Sequence, residues 1–183
     1  MQADELQPVE IGEQLDLDAP VSRYLTRWQL PESEFGTEGV TARRLLSHTA
    51  GLTDGLGYLG FEPGTPVQTL EASLTEAADA MPGADGRTRI GLAPGSTWSY
   101  SGGGYALLEL LIEEISGEPF DAYMESEVFE PLGMSRATFD LAEAERAGLA
   151  PCFDAEGAPC AYRDFSAPAA AWLHASAAGS ARF

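Results

Sequence analysis

The chain has 183 residues, enough for one domain with a real core and few for two. Its 29 acidic residues against 10 basic ones give a net charge of −19, which repels phosphate backbones and anionic membrane surfaces and argues against a nucleic-acid partner. Every basic residue is arginine, and without lysine these residues hold no lysine-activated nucleophile, Schiff base or P-loop.

A hydrophobic content of 44% fits a globular protein, and no apolar run reaches membrane-spanning length. Met1–Leu6 has neither the basic segment nor the apolar block of a signal peptide, which leaves the compartment open. Residues 1–14 read as a loose, polar lead-in. Asp18 stands where it would cap a short helix over Val21–Leu25, with Pro20 in the first turn. Thr41 is placed to cap a helix that turns Leu45 and Leu46 inward, and Gly51 to end it in a left-handed conformation. The Gly- and Pro-rich run Thr53–Pro66 is an irregular loop. Gln68–Met81 reads as a helix with Leu70, Leu74, Ala77 and Ala78 on one face, followed by another loop over Pro82–Pro94.

The apolar residues of Tyr105–Ile115 cover most of a helix circumference, leaving Glu109 and Glu113 as one narrow polar stripe. That pattern belongs to the central helix of a helical unit, and Gly117 ends it. Pro119–Phe129 is a second helix with Phe120, Tyr123, Met124 and Phe129 inward, stopped by Pro131. A short helix over Leu141–Gly148 precedes a hairpin around Asp154-Ala155-Glu156-Gly157. Ala167–Phe183 is a terminal helix or a loop. Cys152 and Cys160 flank the hairpin turn, so a disulfide is feasible if they face each other; two thiols are the alternative.

Several isolated residues invite chemistry. Gly102-Gly103-Gly104 before a helix could expose backbone N–H groups to a phosphate, but it lacks Walker spacing and lysine, so close backbone approach is the better account. Adjacent Ser47 and His48 would point about 100° apart on a helix, which makes His48 a structural histidine near a helix end rather than a base. Two His and two Cys match no zinc pattern, and nothing calls for a metal or other cofactor.

Four segments carry a resemblance. Thr41-Ala42-Arg43-Arg44-Leu45-Leu46-Ser47-His48-Thr49-Ala50-Gly51-Leu52 is similar to a T-x-R-x-L-L-x-H-T-S-G-L motif, and Pro94-Gly95-Ser96-Thr97-Trp98-Ser99-Tyr100-Ser101-Gly102 to P-G-x-x-x-x-Y-S-N. Phe129-Glu130-Pro131-Leu132-Gly133-Met134 matches F-x-P-L-G-M, and Leu15-Asp16-Leu17-Asp18-Ala19-Pro20-Val21 resembles L-D-L-D-x-P-V. In this order and spacing they resemble the serine β-lactamase-like family, which includes class C β-lactamases, D-alanyl-D-alanine carboxypeptidases and esterases. The resemblance covers Gly12–Asp140, and Ala169–Phe183 more weakly.

It implies a mainly α chain: the helical lobe of the α+β β-lactamase (penicillin-recognising) fold, with a short hairpin near the C-terminus and the main antiparallel sheet largely missing. Residues 1–183 would form a single partial domain, with residues 15–140 as the lobe and 141–183 as a tail. The family hydrolyses amide or ester bonds of small molecules through an acyl-enzyme. Its S-x-x-K nucleophile turn cannot exist here without lysine, and its K-T-G or H-x-G strand would lie past Phe183. These residues alone are therefore expected to be inactive. The alternative is a non-catalytic helical remnant that binds a companion polypeptide.

By resemblance the catalytic residue is Tyr100, as general base and acid, with Ser101 and Gly102 binding substrate. Tyr100 lacks the lysine ammonium groups that would favour its ionised form, and Gly102 replaces the usual Asn. The competing reading of Tyr100 is a loop tyrosine packed on a helix N-terminus. A lobe without its sheet should expose an apolar face and either self-associate or be marginally stable.

Overall fold

The computed structural model describes residues 14–54 and 57–183; the rest of the predicted lead-in lies outside them. A 3-10 turn over Val21–Arg23 is followed by α1 (Ala42–Leu46), α2 (Leu70–Thr75) and α3 (Gly102–Ser116). Next come α4 (Phe120–Met124), which runs on into a π-helical turn over Glu125–Phe129, and α5 (Leu141–Arg146). The strands β1 (Cys152–Phe153) and β2 (Pro159–Cys160) then pair antiparallel, with Cys152 opposite Cys160, before α6 (Pro168–Ala171) and α7 (Ala177–Ser180). The described residues thus combine helices with one two-stranded hairpin, but α3, at 15 residues, is the only helix among them longer than six. No described helix is long and apolar enough to cross a membrane.

The core forms around α3. Leu107, Leu110 and Leu111 are fully buried against Leu45 of α1, Leu70 and Leu74 of α2, and Val21, Val40, Leu52 and Ile90 from the loops. Each such side chain contributes on the order of 1.5–3 kcal/mol of burial, so α3 is the element to which short, individually marginal helices attach. Ser101 starts α3, its hydroxyl accepting the Gly104 N–H at 2.8 Å, and Gly117 stops it at φ 74°. Local capping rules thus give both ends, and the helix begins three residues earlier than Tyr105 because the serine cap tolerates a glycine first turn.

Several expectations change. Asp18 caps nothing: its carboxylate pairs with Arg43 (2.7 Å), and Pro20 leads into the 3-10 turn instead. Thr41 does cap α1, and Leu45 is buried, but Leu46 is 52% exposed because α1 is too short to present a second face inward. The left-handed stop of α1 is His48 (φ 53°), not Gly51. Thr49 N–H bonds to Arg44 O at 2.8 Å and His48 N–H to Leu45 O at 3.1 Å, the paired bonds of a Schellman closure. Gly51 is glycine for another reason: with φ 78° it lies so close to Leu92 O that a Cβ would overlap it.

The helix expected over Gln68–Met81 stops at Thr75. The Gln68 side chain takes Ala78 N–H (2.8 Å) and donates to Glu76 O (3.2 Å), and Ala77 N–H turns to Gly86 O (2.8 Å), so the backbone leaves the helical ladder and Ala78 is exposed. The second long helix changes to π geometry halfway, which buries Phe120 and Phe129 around Phe139 but leaves Tyr123 and Met124 half-buried. Glu109 is not on a solvated stripe. It is 4% exposed beneath α6, with its carboxyl accepting Ala169 N–H at 2.8 Å.

Candidate functional site

The loops on either side of α1 and α3 bring the site together. Leu52 bridges Ile90, Gly95 N–H donates to Thr49 O (2.7 Å) and Ser99 N–H to His48 O (2.8 Å). Residues 90–101 are thereby laid along residues 48–53, and His48 meets the segment that leads into α3. Its left-handed backbone swings the imidazole out of the helix line and into an aromatic group. Ring centroids lie 4.8 Å from Tyr100, 5.2 Å from Tyr105 and 5.9 Å from Trp98. His48 Nδ1 accepts the Ser101 N–H at 3.3 Å. Tyr105 completes the set by donating to Leu46 O at 3.2 Å.

Tyr100 is half-exposed and, among the described residues, its hydroxyl makes no hydrogen bond. Trp98 and Leu46 are also exposed around His48. Ser101 and Gly102 point elsewhere. Ser101 is 3% exposed, and its hydroxyl both caps α3 and donates to Asp54 Oδ1. Gly102 is buried against Tyr58, whose Cε2 would stand 2.6 Å from a Cβ there. Of the three residues singled out by resemblance, Tyr100 alone presents its side chain outward.

Beneath Tyr100 lies a polar group that sequence reasoning missed. Asp54 is 2% exposed, and its Oδ2 accepts both Gly103 N–H (2.9 Å) and Tyr58 OH (3.0 Å). Burial, with the Asp54 carboxylate alongside, pushes the Tyr58 phenol well above its ordinary range and keeps it a donor. Gly103 is wedged against the Thr88 hydroxyl and Asp54, so the glycine triplet serves close approach of the helix end to this group. No spacing in the sequence ties Asp54 to residues 47 and 49 positions later. A lone acid in a Gly-rich loop was the only signal.

The remaining features lie away from Tyr100. Cys152 and Cys160 are joined by a disulfide across the hairpin, Cα atoms 5.2 Å apart. A cavity of about 880 Å³ opens between the hairpin, α5 and α6, lined in part by Phe139, Tyr162, Phe165 and Trp172, and none of Tyr100, Ser101 or Gly102 reaches it. No group of three or more His, Cys, Asp or Glu among the described residues could hold a metal ion.

An exposed tyrosine ahead of a glycine-started helix, backed by a left-handed histidine, can be compared with known proteins. The Beta-lactamase family model matches residues 6–183. The chain belongs to the beta-lactamase family. Among its relatives, the esterase EstB of Burkholderia gladioli is 35% identical over 164 residues, covering 82% of this chain and 38% of EstB. The putative penicillin-binding protein PbpX of Bacillus subtilis (strain 168) is 28% identical over 128 residues, 68% of this chain and 27% of PbpX. The octameric penicillin-binding protein homologue from Pyrococcus abyssi superposes with a TM-score of 0.68 at 28% identity, over 93% of this chain and 39% of that one. A D-stereospecific amidohydrolase from Streptomyces sp. shares the fold, with a TM-score of 0.67 at 20% identity over 96% of this chain and 54% of its own. This beta-lactamase-family chain thus spans well under half the length of the curated relatives it matches. Relatives named esterase, penicillin-binding protein and D-alanyl-D-alanine carboxypeptidase place it in a family of serine-hydrolase type.

Proposed function

We propose that these residues are the helical lobe of a serine hydrolase that cleaves amide or ester bonds of small molecules through an acyl-enzyme. Tyr100 would carry the proton between nucleophile and leaving group. The observation that supports this most directly is Tyr100 itself. It is outward-facing and free of hydrogen bonds among the described residues, and it rides on a rigidly capped helix start. A tyrosine serving only to pack the helix N-terminus would be covered, and this one is 50% exposed. The Ser101 hydroxyl is committed to Asp54 and Gly104 and its N–H to His48, so in this reading Ser101 and Gly102 shape the turn that carries Tyr100.

With no lysine among its 183 residues, the chain supplies no serine–lysine pair, and on its own it turns over nothing. Assay of the purified 183-residue chain with nitrocefin and p-nitrophenyl esters is the test. Background rates are expected, and a stoichiometric acyl-enzyme seen by mass spectrometry would overturn this part of the proposal. Completed by a polypeptide that supplies a Ser-x-x-Lys turn, the lobe should hydrolyse one of these substrates and lose the activity on Tyr100→Phe.

The exposure of Leu46, Trp98 and Tyr100 around one histidine favours a second reading, in which this face is covered by a companion polypeptide or by a second copy of the chain. Light scattering of the purified chain separates the two. A monomer at all concentrations counts against self-association.

A further inference from the structure

Asp54 is a nearly fully buried carboxylate with no cation paired to it among the described residues. Such a group is costly to bury unless its oxygens are satisfied. Here three donors converge on it: Ser101 OH on Oδ1, and Gly103 N–H and Tyr58 OH on Oδ2. The start of the 15-residue α3 adds the favourable end of a helix dipole.

The same contacts set where Tyr100 stands. Ser101 is held three ways: its N–H donates to His48 Nδ1, and its hydroxyl takes Gly104 N–H while donating to Asp54. Ser99 is held by its N–H on His48 O at 2.8 Å. Tyr100 lies between two pinned neighbours, with no hydrogen bond of its own among the described residues, so its phenol is placed by the backbone on either side and by the His48 ring. Of the groups that do the pinning, Asp54 is the one that ties the serine hydroxyl and the helix backbone to a single rigid acceptor.

We propose that Asp54 is the positioning residue for Tyr100: its carboxylate locks the Ser101–Gly103 turn so that the phenol is held in a reactive geometry. This inference rests on the reading of Tyr100 as the proton carrier. Only a carboxylate fits. An amide at position 54 has one accepting oxygen and an NH2 that cannot accept; with the NH2 towards Ser101, the hydroxyl can accept it alongside Gly104 N–H, but its own proton loses its acceptor. In either amide orientation at least one donor is stranded, and the turn loosens although the side chain keeps its shape. A misplacement near 1 Å at a reacting group costs about 10²-fold in rate.

The test is amide hydrogen exchange in the 183-residue chain, together with a double-mutant cycle read with a short p-nitrophenyl ester in the lobe completed by a polypeptide that carries a Ser-x-x-Lys turn. Asp54→Asn is expected to lower kcat by about 10–100-fold with KM changed less than about threefold, since the loss falls on the transition state rather than on binding. In the Tyr100→Phe background the same substitution should cost less than about twofold, because a group acting through Tyr100 has nothing left to position. The Ser101 and Gly103 amides should exchange faster in Asp54→Asn. An equal kcat factor in both backgrounds overturns the inference, as does unchanged exchange or an unchanged kcat for Asp54→Asn when Tyr100→Phe is severely impaired. Full activity of Tyr100→Phe instead overturns the proton-carrier reading and the catalytic role of Asp54 with it, while the exchange data still decide whether Asp54 anchors the turn. If Asp54→Asn does not fold, Ser101→Ala, which deletes the Oδ1 donor, replaces it in the same cycle with the same criteria.

Discussion

The imidazole of His48 lies 4.8 Å from the ring of Tyr100 and tilted 37° to it, from a backbone position (φ 53°) that ordinarily favours glycine. Forcing a β-carbon into the left-handed region costs about 1 kcal/mol or more, so the position is held by what the ring does there. The ring joins three aromatic side chains and accepts the Ser101 N–H. His48→Ala should be less stable than His48→Gly by about 1 kcal/mol, since both lose the ring and only alanine keeps the strain. Urea unfolding of the two variants checks the order.

Gly103 and Gly104 sit side by side in the first turn of α3 with different surroundings. A methyl on Gly103 would overlap the Thr88 hydroxyl, whereas on Gly104 the nearest atom is Ser101 Oγ at 3.3 Å. Gly103→Ala should destabilise by about 1–3 kcal/mol through overpacking. Gly104→Ala should cost less, because improved helix propensity offsets the tighter contact. Thermal melts of both variants would refute this if Gly104→Ala proved the worse.

Glu109 is a pH-dependent liability. Burial pushes its carboxyl up to about 8; Ala169 N–H opposes this, the Glu113 and Asp121 carboxylates add to it, and Arg27 opposes it. A folded-state value above the ordinary 4.5 means that the native state binds the proton more tightly than the unfolded chain. The Glu109 contribution is therefore greatest below about 4.5 and is lost progressively as pH rises towards about 8, with little further change above. Glu109→Gln keeps an acceptor for Ala169 N–H and cannot ionise. The stability of the variant should fall less than that of the parent between pH values of about 5 and 8, and parallel pH profiles would contradict the assignment.

Glu114 holds the entry segment against α3. Its carboxylate takes Thr26 N–H at 2.9 Å, Arg27 N–H at 2.6 Å and the Thr26 hydroxyl at 2.5 Å. Glu114→Ala strands those donors at a partly covered site and should cost about 1–3 kcal/mol. Glu118→Ala, at an exposed position past the end of α3, should be near neutral. Denaturant midpoints of the pair make the comparison, and equal midpoints would contradict it.

The disulfide between Cys152 and Cys160 closes a small exposed hairpin outside the main core. Titration with a thiol reagent should find no free thiol before reduction and two after. Reduction should loosen the hairpin and leave the main melting transition nearly in place, because little of the core depends on it. Two free thiols in the unreduced protein would overturn the bridge.

What could be read from the residues alone was what depends on near neighbours. Thr41 and the Gly117 stop act within one helical turn, the run Leu107–Ile115 declares a buried helix by its period, and the ordered motifs around His48, Tyr100 and Pro131 identify the family. Tertiary structure decided the features made by distant partners. Glu109 is buried because Ala169, 60 residues on, covers it. The stop of α1 falls on His48 because the 98–105 aromatic residues gather around its ring, and local preference for glycine at Gly51 could not show that. Asp54 was silent in the sequence for the same reason: its meaning lies in three donors, two of them from a helix start nearly fifty positions away. A buried charge is tolerated only where the fold brings donors to it, and that convergence is a property of packing, which no local pattern encodes.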